Sequence, residues 1–257
     1  MKNLVFLCGF IATMAFFTSC ENDDFDKTSM QMTLTLQDAG AVWMSLSGSG
    51  LVTVDFGDGT PTATYMLGSM STVITYSYSN AASRTITITG DNILILNCNS
   101  NNLTSLDVSK NTMLTQLWCD QNKLTTLDVS KNTMLTVLDC RYNQITSLNV
   151  SKNTVLSQLY CGANQLTSLD VSENRMLARL YCYSNQLTSL DVSKNTILSY
   201  LWCSNNQLST TALNDIFKAL PSYPQANFAG LMIGDNPGSE TCDRDIVLNK
   251  GWRFDDR

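Results

Sequence analysis

Between Ile93 and Leu208 a 21-residue phrase recurs six times, and nothing else in the chain restricts its fold as much. The cleanest copy, 114–134, reads L-x-x-L-x-C-x-x-N-x-L-x-x-L-D-V-S-K-N-T-M. Cysteines keep the period at Cys98, Cys119, Cys140, Cys161, Cys182 and Cys203. Asparagines keep step at Asn101, Asn122, Asn143, Asn164, Asn185 and Asn206. A unit this short cannot bury its apolar side alone, so a constant period of this length implies turns stacked into a solenoid. Leu114, Leu117, Cys119, Leu124, Leu127 and Val129, with their equivalents, are the predicted interior. At a backbone spacing of about 4.8 Å, the copies form a rod roughly 25–30 Å long.

Charge and composition narrow the function classes. The 257-residue chain carries a formal net charge of -6, so it has no basic field to attract nucleic acid. It contains no histidine. That removes Ser-His-Asp and Cys-His catalysis, histidine-ligated metals and histidine pH switching.

The N-terminus has the layout of an export signal. Lys2 precedes an apolar run, Leu4 to Phe17, which ends at Thr18-Ser19-Cys20. The run is too short to span a bilayer stably. The cysteine at the cut resembles a bacterial lipobox, which implies lipidation at Cys20. The acidic Glu21-Asn22-Asp23-Asp24 that follows resembles the surface-export signal of Bacteroidetes lipoproteins. The implied localisation is an exported outer-membrane lipoprotein exposed at the cell surface.

Residues 28–91 alternate apolar and polar side chains, as in Met30, Met32, Leu34, Leu36 and again Val42, Met44, Leu46. Period-two strands bounded by Gly, Ser and Asn argue a small antiparallel sandwich. Asp58-Gly59 marks a tight hairpin. The run Val54-Asp55-Phe56-Gly57-Asp58-Gly59-Thr60, with Tyr76-Ser77-Tyr78 and Thr85-Ile86-Thr87-Ile88-Thr89, resembles a polycystic-kidney-disease-type (PKD) domain. That resemblance implies an immunoglobulin-like spacer or binding module. Asp55 and Asp58 are read as turn formers that satisfy their own backbone, with calcium as the alternative. The position also suits a cap for the solenoid's open end.

The half-phrase L-x-x-L-x-C-x-x-N-x-L is the leucine-rich-repeat signature, with cysteine at the third apolar position. The repeats resemble the 21-residue leucine-rich repeats of bacterial surface proteins. The resemblance implies one parallel strand per turn, with a second extended segment near the opposite side. The asparagine column is expected to bond loop backbone of its own turn and the next. Metal and redox cysteines cluster at C-x-x-C spacing, so the cysteine column is read as small buried hydrophobes. The acidic column Asp107, Asp128, Asn149, Asp170, Asp191 is followed by serines and by Lys110, Lys131, Lys152, Glu173, Lys194. It is read as a turn network.

The L-T-S-L-D-V-S-K-N-T half barely changes between copies while the residues around each cysteine change freely, and strand alternation turns those variable positions outward. Just before the cysteine stand Asn97, Trp118, Asp139, Tyr160, Tyr181 and Trp202. Two positions earlier are Ile95, Gln116, Val137, Gln158, Arg179 and Tyr200. Just after it come Asn99, Asp120, Arg141, Gly162, Tyr183 and Ser204, with Tyr142 next in the third copy. Tyr and Trp pair an apolar plane with a polar handle, and with Arg they dominate binding hot spots. The candidate ligand-binding face is therefore Trp118, Asp139, Arg141, Tyr142, Tyr160, Arg179, Tyr181, Tyr183, Tyr200 and Trp202. The paired carboxylates Asp120 and Asp139 also admit glycoside hydrolysis on paper. A shallow sheet implies no pocket, and neither acid reads as desolvated enough to have a raised pKa.

After Leu208 the period breaks. Thr210 or Thr211 caps a predicted helix through Leu213, Ile216, Phe217 and Leu220 that stops at Pro221. Phe228 to Ile233 reads as a strand, Ser239 to about Asn249 as a second helix, and Trp252 to Phe254 as a last strand. The expected architecture is a mainly β solenoid of leucine-rich repeats (92–208), preceded by a small antiparallel immunoglobulin-like domain (28–91) and closed by an αβ cap (209–257). A signal peptide (1–19) and a lipid-anchor linker (20–27) precede them. The expected function is non-enzymatic: recognition of a protein or carbohydrate ligand at the cell surface. A surface spacer or adhesion scaffold without a ligand site is the alternative. No cofactor, metal or nucleic-acid partner is expected.

Overall fold

The computed structural model describes residues 31–223 and 229–255. The signal peptide, Cys20 and the acidic linker lie outside the described residues. Five short strands carry the repeats: β6 (Gln116–Trp118), β7 (Val137–Asp139), β8 (Gln158–Tyr160), β9 (Arg179–Tyr181) and β10 (Tyr200–Trp202). Each pairs in parallel with the next, in strict 21-residue register: Leu117 with Leu138, Leu159 with Leu180, Leu180 with Leu201. The backbone pairing runs on past the strand ends. Cys119 N–H donates to Asp139 O at 2.8 Å, and Cys140 N–H donates to Tyr160 O at 2.9 Å.

The invariant letters lie inside. Leu117, Cys119, Leu124 and Val129 are fully buried, as are their equivalents in later turns to within 1%. Burying each such leucine contributes about 1.5–3 kcal/mol relative to leaving it in water. The second half of each later turn carries no regular strand and is held to its neighbour by few backbone bonds, such as Gln144 N–H to Leu124 O at 2.8 Å. The predicted single parallel strand per turn is present.

The N-terminal region is built into the same sheet. β1 (Gln31–Asp55) is a long strand with register shifts after Leu36 and Leu46, so it bends and meets several partners. It pairs antiparallel with β2 (Ala63–Leu67) and with β3 (Thr72–Thr89). Met32, Leu34, Leu36, Met44, Leu46 and Val54 bury against Ile74, Ile86 and Ile88 to make its core. β1 also pairs with the first copy of the phrase on both sides of the turn: with β4 (Asn92–Asn97) and with β5 (Leu103–Asp107). β4 in turn pairs in parallel with β6. The expected capping role of this region thus takes the form of β1 pairing with strands on both sides of the short link at 90–91. Only this first turn has a regular strand in its second half, because only there does a neighbour offer a full row of partners.

At the other end, Ser209 caps α1 (Thr210–Ala219) by accepting from Ala212 N–H, one residue before the expected cap. β11 (Ala229–Met232) and β12 (Trp252–Phe254) extend the parallel sheet beyond β10. The second helix, α2 (Asp245–Leu248), is shorter than the predicted span from Ser239. Lys250 Nζ closes the C-terminus of α1 by donating to Phe217 O at 3.0 Å and Leu220 O at 2.7 Å.

Candidate binding face

Two ladders hold the turns in the register that the face requires. In the first, Asn143 Nδ2 donates to Cys140 O of its own turn and Cys119 O of the previous one, both at 3.0 Å. Its Oδ1 accepts from Leu124 N–H at 3.0 Å, again in the previous turn. The ladder therefore points backward along the chain, where the expectation was bonding to the next turn. The second ladder went unread in the sequence. Asn132, Asn153, Asn174 and Asn195 are fully buried. Asn153 Nδ2 donates to Val129 O at 3.0 Å and Asn132 O at 2.9 Å. The invariant asparagine of V-S-K-N-T was the available signal. The acidic column is a turn network, as expected: Ser130 N–H donates to Asp128 Oδ1 at 2.8 Å, and Asp170 and Asp191 repeat the bond. These bonds hold the three carboxyls below the usual carboxylate range. Asp55 and Asp58 likewise serve their own hairpin. Gly57 N–H donates to Asp55 Oδ1 at 2.8 Å, and Tyr76 Oη donates to Asp58 Oδ2 at 2.7 Å.

The six cysteines of the column are buried and free. Burial pushes each thiol up, Cys203 to about 12. They are packing groups that carry no thiolate at neutral pH.

On the opposite side of each strand, the variable residues form a row of rings. Tyr181 stacks on Trp202 with centroids 3.9 Å apart and planes at 6°. Tyr160 lies 4.9 Å from Tyr181 and 6.4 Å from Trp118. Arg179 sits over the Tyr200 ring at 5.3 Å. Gly162 opens a gap beside this row. A Cβ there would come within 2.7 Å of the Tyr183 ring, which lies across the glycine and reaches Tyr142, Oη to Oη 3.2 Å. Burial, then that hydrogen bond, pushes Tyr183 up to about 12.

Two expectations about this face need correction. Asp139 is fully buried and forms no part of an exposed rim. Arg141 stands two positions on, on the same side of the strand, and grips it through Nε (2.9 Å) and Nη2 (2.6 Å). Arg141 also lies 5.3 Å over the Tyr160 ring. The bond to Asp139 raises the Arg141 pKa further, so the guanidinium stays charged. The second correction concerns Asp120, whose carboxyl is raised, by burial first and then by the Asp139 charge. Tyr160 is only 8% exposed, yet it is outside the core cluster, so its neighbours on the face cover it. Trp118, Tyr181, Tyr183, Tyr200 and Trp202 are half-buried, and Tyr142 and Arg179 are exposed. The structure thus brings all ten predicted residues to one side of the sheet, nine as surface or near-surface groups and Asp139 as the anchor beneath Arg141. Among the described residues no cluster of three metal-ligating side chains occurs, and no helix is long and apolar enough to cross a membrane.

No protein-family model matches the chain, and no curated protein matches it either. Among solved structures, the functional domain of InlJ from Listeria monocytogenes, described as including a cysteine ladder, is 35% identical with a TM-score of 0.50. The match covers 63% of this chain and 40% of that one. An internalin (inlF) of the same species is 25% identical over 58% of this chain and 43% of its own, with a TM-score of 0.48. A leucine-rich-repeat protein of Leptospira interrogans is 24% identical over 58% of this chain and 38% of its own, with a TM-score of 0.47. The chain therefore spans less than half the length of the structures it resembles. With the parallel register and the buried column of leucines and cysteines, the likeness to InlJ shows the fold class: a mainly β solenoid of leucine-rich repeats with a small helical cap at its C-terminal end.

Proposed function

We propose that the chain is a non-enzymatic binding protein and that its ligand lies along the row Trp118, Tyr160, Tyr181, Trp202, flanked by Arg141, Arg179, Tyr142, Tyr183 and Tyr200. One observation carries this reading. The positions that vary most between turns hold rings in contact along a row, with Tyr181 stacked on Trp202, together with a guanidinium fixed in place by a buried carboxylate. Anchors of this kind lose little conformational freedom on binding, which is what hot spots require. A protein ligand fits better than a glycan. The rings spend their faces on one another and on arginines, and Trp118 N–H and the Tyr160 hydroxyl are held by Gln116 and Gln158, whereas a sugar stacks on an open face. The site is an open sheet surface, which supports binding over catalysis even though Asp120 has a raised pKa.

The resemblances at Cys20 and at Asp55–Thr60 complete the proposal: an exported lipoprotein, held to the outer membrane by its acylated Cys20, with a PKD-like module at the base of the solenoid. Cys20→Ala is then expected to release the protein from the membrane fraction, and continued retention would refute the anchor. For the face, the chain serves as bait for surface proteins and, in parallel, on a glycan array. The double variant Trp118→Ala, Trp202→Ala is expected to lose the captured protein while its melting temperature stays near that of the parent. Capture unchanged by the double variant would refute the face, and retention of glycans alone would refute the choice of protein. A chain that captures nothing in either format fits the spacer reading.

A further inference from the structure

The outer face of the sheet does not end at Trp118. Ser45 of β1 pairs with Asn97 of β4, and Asn97 pairs with Trp118. Met44 and Leu46 are fully buried, so alternation turns Trp43, Ser45 and Ser47 to the same side as the aromatic row. Trp43 is 42% exposed there. Its backbone is tied to the first copy of the repeat. Asn101 Oδ1 accepts from Trp43 N–H at 2.9 Å, and Asn101 Nδ2 donates to Trp43 O at 2.6 Å and to Asn99 O at 2.9 Å. Trp43 thus stands beside Asn99. One turn on, Asp120 stands on the other side of Asn99, whose side chain bonds its carboxyl.

Asp120 is 8% exposed, and among the described residues it is in no ion pair. The Arg141 guanidinium acts on it, but that group is forked onto the fully buried Asp139. Two carboxylates therefore share one cation. Serine N–H groups favour the anions of Asp128, Asp170 and Asp191, whereas burial raises Asp120, so its charge opposes folding at neutral pH. The other copies hold Asn99, Arg141, Gly162, Tyr183 and Ser204 at this position, so the solenoid does not require an acid there. Residues 31–120 hold six acids against two bases, Arg84 and Lys110, so this end of the face has no surplus of positive charge. Arg84 is engaged by Asn80 and by the Tyr78 ring.

We propose that Trp43, Asn99 and Asp120 form a subsite at the N-terminal end of the face, which takes an arginine side chain of the protein ligand. Two strand spacings, about 10 Å, separate the Trp43 and Asp120 backbones, which leaves room for one guanidinium over the shorter Asn99. A guanidinium there meets the indole on one side and the carboxylate on the other. Its flat, delocalised charge serves both contacts at once, which the ammonium of a lysine does not. The subsite rests on the reading of the face as a protein-binding surface, and it carries that surface across the joint onto β1.

The test follows the indole N–H signals of the full chain by NMR. The probe is the capped peptide acetyl-Gly-Arg-Gly-amide, beside its citrulline isostere, which keeps the shape and loses the charge. The arginine peptide is expected to shift the Trp43 signal saturably. Trp252, buried and bonded to Pro221 O, serves as the unmoved reference. Asp120→Asn keeps the side-chain shape and should weaken this binding about tenfold or more. Trp43→Leu, followed at the Asn99 amide, should weaken it about twofold to fivefold. No shift at Trp43, an equal shift with the citrulline peptide, or binding unchanged by Asp120→Asn overturns the proposal. The aromatic row and the subsite fail separately. Trp202 lies at the far end of the face, so Trp202→Ala should leave the peptide shift intact. Captured protein lost in the Trp118→Ala, Trp202→Ala variant, with no Trp43 shift in the parent, keeps the row and overturns the subsite.

Discussion

Asn143 and Asn153 look equivalent in the sequence, since each recurs once per turn, but their bonding differs. Asn143 donates to three carbonyls and accepts from Leu124 N–H, whereas Asn153 donates to two carbonyls and leaves its oxygen unpaired. Asn143→Ala strands a buried amide of the previous turn and is expected to cost about 1–3 kcal/mol in denaturant unfolding. Asn153→Ala should cost less, so the ranking is the check. Asp120 gives a pH prediction. Its raised folded-state pKa means that, between the ordinary carboxylate range and the raised value, the folded chain holds more protons than the unfolded one. Stability contributed by Asp120 is therefore lost as pH rises through that window. Asp120→Asn is expected to raise the melting temperature at neutral pH and to flatten its fall from mildly acidic pH. Gly162→Ala inserts a methyl group into the Tyr183 ring, which must swing away. Tyr183 should then titrate near the ordinary tyrosine value of about 10 instead of about 12, with stability changed by less than about 1 kcal/mol. The burial of Asp139 was legible in principle: an acid and an arginine two positions apart on a strand share a side. That pair was the signal missed in favour of the aromatic pattern. Met134, Val155, Met176 and Ile197, an apolar column outside the predicted interior, stand exposed.

Among the elements, the parallel strands were legible because a 21-residue period with alternation around each cysteine leaves one arrangement that buries the leucines. The joint at 91/92 was not legible. Alternation in 31–55 marks strands, but it cannot say that one of them reaches across to 92–97 and 103–107, because pairing between distant segments leaves no periodic trace. Thr35 is flanked on both sides, by Thr85 and by Ser105. Thr35→Pro removes a donor from an interior strand and is expected to cost about 3 kcal/mol or more. If the N-terminal region caps the solenoid, amide protection at 103–107 should fall with it. Protection retained there would show that the first turn stands without β1. The C-terminal elements were read in the right order, while α2 came out shorter because residues 239–244 form turns that bond back to Asn236 and Gly238.

At the scale of the whole molecule, one rule relates sequence to structure: letters that repeat build the rod, and letters that change lie on its outer face, where the proposed ligand would sit. The rule holds for the thiols and leucines, which are buried, and for Trp118, Tyr142, Tyr183 and Trp202, which reach the surface. It is incomplete at Asp139, a changing letter that is buried, and at Met134, Val155, Met176 and Ile197, where a repeating apolar letter faces water. Hydroxyl-radical footprinting of the native protein, read residue by residue by mass spectrometry, tests the rule directly because both classes are reactive wherever solvent touches them. The expected result is modification at Trp118, Tyr142, Tyr183 and Trp202 and at the partly exposed Cys242, with Cys98, Cys119, Cys140, Cys161, Cys182 and Cys203 untouched until the protein unfolds. Modified thiols in that column beside protected rings, in the native state, would contradict the account.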